Sequence, residues 1–143
     1  EEHVILVMTR LEGDPIADRL PKLGHAELDE LSTQLATVLQ QVRRIPVPGN
    51  GVCGFGGRPC RSYQMSFSVF GPFASLKGFN DWMYERTKWR RSSDGTYPPS
   101  RNEHERLILS HGDLTPHNIL IDKEGRLTGV IDWECAGWMP AHW

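Results

Sequence analysis

At 143 residues the chain is long enough for one domain with a single buried core and too short for two ordinary ones. Its 38% hydrophobic, 24% charged and 9% aromatic residues, with a formal charge of -2, exclude a disordered tail and give no electrostatic reason to bind nucleic acid. The longest strongly apolar run, Val4 to Met8, falls far below the roughly 18 residues that span a bilayer. The acidic start Glu1-Glu2 lacks the basic region of a signal peptide, so no membrane partner and a cytoplasmic location are expected.

In chain order, His3-Val4-Ile5-Leu6-Val7-Met8 is a continuous apolar run of strand-forming residues, and Leu11-Glu12-Gly13-Asp14-Pro15 reads as a turn. From His25 to Ile45 the apolar positions Leu28, Leu31, Leu35, Val38, Leu39, Val42 and Ile45 recur at three- and four-residue steps, which predicts an amphipathic helix. Pro46, Pro48, Gly49 and the run Gly51 to Gly57 end it and open an irregular surface loop expected to reach Gly71. A second helix is predicted from Ser75, a capping residue, to Arg90, with Leu76, Phe79, Trp82, Met83 and Trp89 on its apolar face. Ser92 to Arg101 reads as a loop.

Leu107-Ile108-Leu109 predicts a short strand, followed by a loop from His111 to Asn118 and two strands, Ile119 to Ile121 and Leu127 to Ile131, turning at Asp122-Lys123-Glu124-Gly125. These last three strands are expected to form one compact unit. The tryptophans Trp82, Trp89, Trp133, Trp138 and Trp143 are read as core aromatics. Cys53, Cys60 and Cys135, odd in number and without a metal-ligand spacing, are read as reduced thiols. Gly49-Asn50-Gly51-Val52-Cys53-Gly54 fits G-x-G-x-x-G, but it comes after a helix and a proline pair where a nucleotide loop would come after a strand, so it is read as an irregular loop.

Chemistry concentrates in His111-Gly112-Asp113-Leu114-Thr115-Pro116-His117-Asn118 and in Asp132. If the hairpin after this loop returned Asp132 to its side, Asp113 could take the proton of an attacking hydroxyl, while the Asn118 amide oxygen and the Asp132 carboxylate held magnesium, a hard cation that prefers oxygen ligands. A base with two metal ligands suits phosphoryl transfer, where the protein chiefly positions groups and neutralises charge.

Through H-x-D-x-x-x-x-N and the later Ile131-Asp132-Trp133-Glu134, the sequence resembles the aminoglycoside phosphotransferase and choline kinase group of the protein-kinase-like superfamily. HGDLTPHNIL with VIDWECAGWMP is most similar to its fungal branch. The resemblance implies an α+β fold: a kinase-like C-terminal lobe, mainly helical, with a short β-hairpin carrying the catalytic and metal residues. Residues 1–13 would be the last N-lobe strand and hinge, 14–143 the C-lobe, and the N-terminal lobe would be absent.

By the same resemblance Asp113 is the catalytic base, Asn118 and Asp132 are magnesium ligands, and His111 braces the loop. Leu120 and Ile131 line the adenine pocket, and backbone groups around Met8 and Thr9 contact adenine. ATP and Mg2+ are the implied cofactors and a small-molecule hydroxyl the implied acceptor. Gly112 stands where protein kinases have arginine, Trp133-Glu134 replaces Phe-Gly, and little chain remains for an activation loop, which argues against a protein substrate. Glu134 is a candidate to assist the metal or orient a polar acceptor.

In such kinases the phosphate-covering loop and a lysine precede the hinge, whereas Lys22 comes after it; both ends therefore read as truncated, and weak or absent turnover is expected of these residues alone. One alternative is a non-catalytic kinase-like binding module or a gene fragment. Another is a metal-dependent phosphoesterase on His111, Asp113, His117 and Asn118, for which a second early Asp/His pair is wanting.

Overall fold

The computed structural model describes residues 5, 7–87 and 105–143, which divide into two compact units. Of the described residues, 5, 7–37 and 114–131 form the first, and 38–87, 105–113 and 132–143 the second. Among the described residues the class is α+β: two α-helices, α1 (His25–Val42) and α2 (Leu76–Thr87), accompany eight short strands. Five short 3-10 turns join these elements among the described residues. No helix among them is long and apolar enough to cross a membrane.

In the first unit, β1 (Asp14–Pro15), β6 (Ile119–Ile121) and β7 (Leu127–Val130) form an antiparallel sheet in the order β1-β6-β7. The hairpin predicted at 119–131 is therefore present. Its turn closes through Asp122 N-H to Arg126 O at 2.9 Å and Gly125 N-H to Asp122 O at 3.1 Å. The Asp122 carboxylate takes the Arg126 backbone N-H at 2.9 Å and its Nε at 2.8 Å. Arg19 adds a 2.6 Å bond to the Asp122 carbonyl.

The α1 residues Leu31 and Leu35 pack with Ile16, Ile119, Ile121 and Leu127 in this unit's core, as the apolar stripe predicts. Glu27 caps the helix start by accepting the Gly24 N-H at 2.8 Å, one half of a capping box. Gln34 Oε1 accepts the Leu127 N-H at 2.8 Å and so satisfies a backbone donor on the outer strand. The helix stops at Val42, three residues short of the expected Ile45, and the N-H groups of Arg43, Arg44 and Ile45 close turns onto Leu39, Gln41 and Val42 before Pro46, which has no N-H to continue them.

In the second unit, β2 (Cys53–Gly54), β8 (Gly137–Pro140) and β5 (Leu107–Ser110) form an antiparallel sheet in the order β2-β8-β5. Beside it β3 (Cys60–Ser62) pairs with β4 (Ser66–Phe70). The stretch expected to be an irregular loop to Gly71 thus contains three strands. β2 and β3 are too short to be recognised by alternation, and β2 is set by its long-range partner, Cys53 opposite Trp138 and Gly54 opposite Gly137, whereas β4, Ser66-Phe67-Ser68-Val69-Phe70, does alternate and the loop reading passed over it. A side chain at Gly137 would stand 2.6 Å from the Cys53 carbonyl oxygen, so the β2-β8 pairing requires glycine there.

The second helix begins at Leu76, with Ser75 Oγ accepting the Gly78 N-H at 3.1 Å as the capping reading requires. Leu76, Phe79 and Met83 are buried with Val52, Cys60, Phe70, Leu107 and Met139. Trp82 stacks on Phe70 at 4.7 Å, and Trp143 lies edge-on to Phe79 at 5.6 Å. Trp89, the predicted helix end at Arg90 and the loop from Ser92 to Arg101 lie outside the described residues.

One further expectation is corrected, and another falls in large part outside the described residues. Leu107-Ile108-Leu109 does not join the 119–131 hairpin in one unit; it pairs with β8, a strand that the sequence does not announce because Gly137-Trp138-Met139-Pro140 lacks alternation and ends in proline. Residues 5 and 7–12 carry no strand, and Ile5 and Val7 are 84% and 89% exposed. A strand needs a neighbour for its backbone donors and acceptors, and among the described residues no backbone ladder forms with this segment, although the Thr128 hydroxyl donates to the Glu12 carbonyl at 2.6 Å. Residues 1–4 and 6 of that run lie outside the described residues.

The hairpin turn carries a pH signature. Hydrogen bonds from Arg126, first from its backbone N-H, hold the Asp122 carboxyl below its ordinary 3.8. A carboxylate depressed by folding contributes stability that is present above its unfolded pKa and is lost as pH falls through the folded value. Asp122→Ala is therefore expected to unfold at lower urea concentration than wild type near neutral pH, with the difference closing once the pH is taken well below 3.8.

Candidate functional site

In the second unit the register of β5 against β8, Leu107 opposite Pro140 through Ser110 opposite Gly137, fixes the course of the segments flanking those strands. The chain leaving β5 at Ser110 must run beside the chain entering β8 at Gly137. His111, Gly112 and Asp113 consequently lie along the 3-10 turn Trp133–Cys135, which Asp132 precedes. The approach is close. A side chain at Gly112 would stand 2.2 Å from the Cys135 carbonyl oxygen, and the residue has φ +82, so only glycine suits both the space and the conformation.

His111 is buried, at 3% exposure, with its ring 4.6 Å from that of Trp133. Its Nδ1 accepts the Asp113 N-H at 3.3 Å, a role that leaves the ring proton on Nε2. The imidazole thus ties the backbone of Asp113 to the start of the loop. Asp113 is half-buried and Asp132 exposed. Asp132 has φ 62 and ψ 61, and is the one non-glycine residue with positive φ among those described. Left-handed geometry is unfavourable for a side chain, is least so for Asp and Asn, and collects at functional positions.

The other sequence-predicted residues belong to the first unit. Asn118 ends the 3-10 turn Pro116–Asn118 and is buried; its N-H bonds the Thr115 carbonyl at 3.0 Å and its carbonyl accepts the Ile131 N-H at 2.9 Å. Leu120 is buried, opposite Gly129, and Ile131 is half-buried. Met8 and Thr9 are exposed. The structure thus gathers His111, Asp113 and Asp132 in one unit and Asn118, Leu120 and Ile131 in the other.

Asn118 and Asp132 each carry an oxygen donor of the hard type that magnesium takes, and they belong to different units. No group of three His, Cys, Asp or Glu side chains suited to a metal occurs among the described residues, which leaves the phosphoesterase reading without a cluster.

Residues that sequence reasoning missed stand around Glu134. Its Oε1 accepts the Tyr63 hydroxyl at 2.6 Å, and its Oε2 is 3.9 Å from Arg61, whose Nη1 is 3.3 Å from the Tyr63 oxygen. The bond to Glu134 holds the Tyr63 phenol above its usual range. Nothing in the spacing of Arg61 and Tyr63 announces this, because it depends on β3 lying beside the 133–135 turn.

Cys53, Cys60 and Cys135 are buried free thiols, as read from the sequence. Burial pushes Cys60 up to about 12, and burial together with the charges of Glu134 and Asp113 raises Cys135.

Gly112→Ala is expected to lose about 2–3 kcal/mol of stability in urea unfolding, through strain and overpacking against Cys135; Asp132→Gly is expected to be neutral or to gain up to about 1 kcal/mol by relieving its left-handed backbone. Iodoacetamide at mildly alkaline pH is expected to leave all three cysteines unmodified in the folded protein and to alkylate all three in denaturant, read by intact mass.

Comparison with known proteins gives a family match over residues 1–143, to the APH group described as the phosphotransferase enzyme family. Uncharacterized protein YcbJ of Bacillus subtilis (strain 168) is 32% identical over 107 residues, covering 73% of this chain and 33% of that protein. Clavilactone A biosynthesis cluster protein Y of Ampulloclitocybe clavipes is 29% identical over 117 residues, covering 66% of this chain and 29% of that protein. The chain therefore spans about a third of the length of the curated relatives it matches. No solved structure gives a significant match.

Proposed function

The chain belongs to the APH phosphotransferase enzyme family, and on that premise we propose that the protein transfers the γ-phosphoryl group of ATP to a hydroxyl of a small molecule. The observation that supports this most is the packing of the His111-Gly112-Asp113 loop on the turn after Asp132, which sets the two carboxylate positions in one framework.

Asp113 is the proposed base. The acceptor oxygen forms a bond to the γ-phosphorus as the bond from that phosphorus to the β-γ bridging oxygen breaks; ADP leaves with the electron pair, and the acceptor proton passes to Asp113. His111 orients Asp113 through the Asp113 N-H. Asn118 and Asp132 are the proposed magnesium ligands, and Leu120, Ile131, Met8 and Thr9 the proposed adenine contacts. Magnesium, when bound, would neutralise charge on the phosphate oxygens.

The test is transfer of labelled γ-phosphate from ATP to a panel of small hydroxyl compounds, with MgADP affinity measured in parallel. Asp113→Asn is expected to slow transfer by about 100- to 10,000-fold while MgADP still binds. Asp132→Asn is expected to abolish the magnesium-dependent part of nucleotide binding. Undiminished transfer by Asp113→Asn would remove the base from the mechanism, and nucleotide binding with no transfer to any acceptor would favour the non-catalytic binding module.

A further inference from the structure

The second unit contains a cavity of about 430 Å³ lined by Gly54, Phe55, Gly56, Arg58, Pro59, Trp133, Glu134 and Ala136. Its size falls within the range of small-ligand sites. Of the lining residues, Trp133 and Glu134 come directly after Asp132, and those from Gly54 to Pro59 belong to the glycine-rich stretch at and after β2. From this lining we infer that the cavity is the acceptor site, and that its acceptor is a compact, planar hydroxyl compound, neutral or anionic, rather than a polyamine or amino sugar. The inference rests on the phosphotransferase reading of the same protein.

Phe55 supplies the first reason. It is 65% exposed, yet its ring is held 5.5 Å from that of buried Trp138, with an interplanar angle of 22°. An exposed aromatic resting on a buried one presents a rigid flat face, and Trp133 offers a second aromatic group in the same lining.

Charge supplies the second. Glu134 is the one carboxylate among the lining residues, and it is already bonded by Tyr63 at 2.6 Å and faced by Arg61 at 3.9 Å. Arg58 has no carboxylate partner among the described residues. A polycation needs several unsatisfied carboxylates; the lining supplies one, already paired, and its other charged residue is Arg58, which suits a carboxylate or a neutral polar group. The pairing of Glu134 with Tyr63 and Arg61 thus leaves the lining without an unpartnered carboxylate for an amine.

The test uses two probes of one shape, 4-(hydroxymethyl)benzoate and 4-(hydroxymethyl)benzylamine, measured by isothermal titration and by labelled phosphate transfer from MgATP. The benzoate is expected to bind in preference to the amine and to be phosphorylated on its hydroxyl. Arg58→Glu is expected to weaken benzoate binding about three- to fivefold and to reverse the preference. Phe55→Ala is expected to weaken both probes about tenfold.

Because both side chains are exposed, folding is checked by an unchanged unfolding curve, and MgADP affinity is measured in every variant. MgADP binding with equal or amine-preferring probe binding, or with no effect of either substitution, overturns the acceptor assignment and leaves the phosphotransferase reading standing. Loss of MgADP binding in Arg58→Glu overturns it by making the cavity part of the nucleotide site. Probe binding without MgADP binding or transfer overturns the phosphotransferase reading itself.

Discussion

The antiparallel pairing of β5 with β8 is the constraint on which the chemistry-bearing part of the second unit depends. Its four register pairs end at Ser110 opposite Gly137. Backbone donors and acceptors buried in such a pair must be satisfied, so the register resists slippage, and a slip by one residue would turn every side chain to the opposite face. That register lays Asp113 and the turn after Asp132 side by side. Gly112 is the local concession, since any side chain there would meet the Cys135 carbonyl.

A second consequence concerns which charges remain available. Placing β3 beside the 133–135 turn gives Glu134 two partners, Tyr63 and Arg61, and converts a solvent-facing carboxylate into part of a fixed wall. Exposed ion pairs contribute little to stability, and this one matters through what it withdraws from any ligand rather than through the fold. The guanidinium of Arg61 is thereby directed to Glu134, the carboxylate that the proposed chemistry does not use, while a proton acceptor and a hard-cation ligand are asked of Asp113 and Asp132.

Family membership and local structure answer different questions. Membership places the chain in the phosphotransferase enzyme family, while the chain spans about a third of the curated relatives it matches. Acceptor choice belongs to the site, because one scaffold serves many substrates by changing the walls around a common base. Here those walls are built by the Phe55 to Pro59 loop and by Trp133-Glu134, two stretches far apart in the chain that become neighbours through the β2-β8-β5 sheet.

The sequence alone determined what local rules govern. The stripe from Leu28 to Val42 specified α1, Ser75 specified the start of α2, and Asp122 to Gly125 specified a hairpin turn, because helix periodicity, capping and turn chemistry act over a few residues. The pattern H-x-D-x-x-x-x-N with Ile131-Asp132 identified the family for the same reason: its residues are close in the chain. Tertiary structure decided what depends on distant partners. It gave Leu107-Ile108-Leu109 to β8 instead of the hairpin, drew three strands out of a glycine- and proline-rich stretch, and left residues 5 and 7–12 without a strand. It also brought Tyr63 to Glu134. Strand pairing is a contact between separated segments, and no local propensity encodes which segment will be there to receive it.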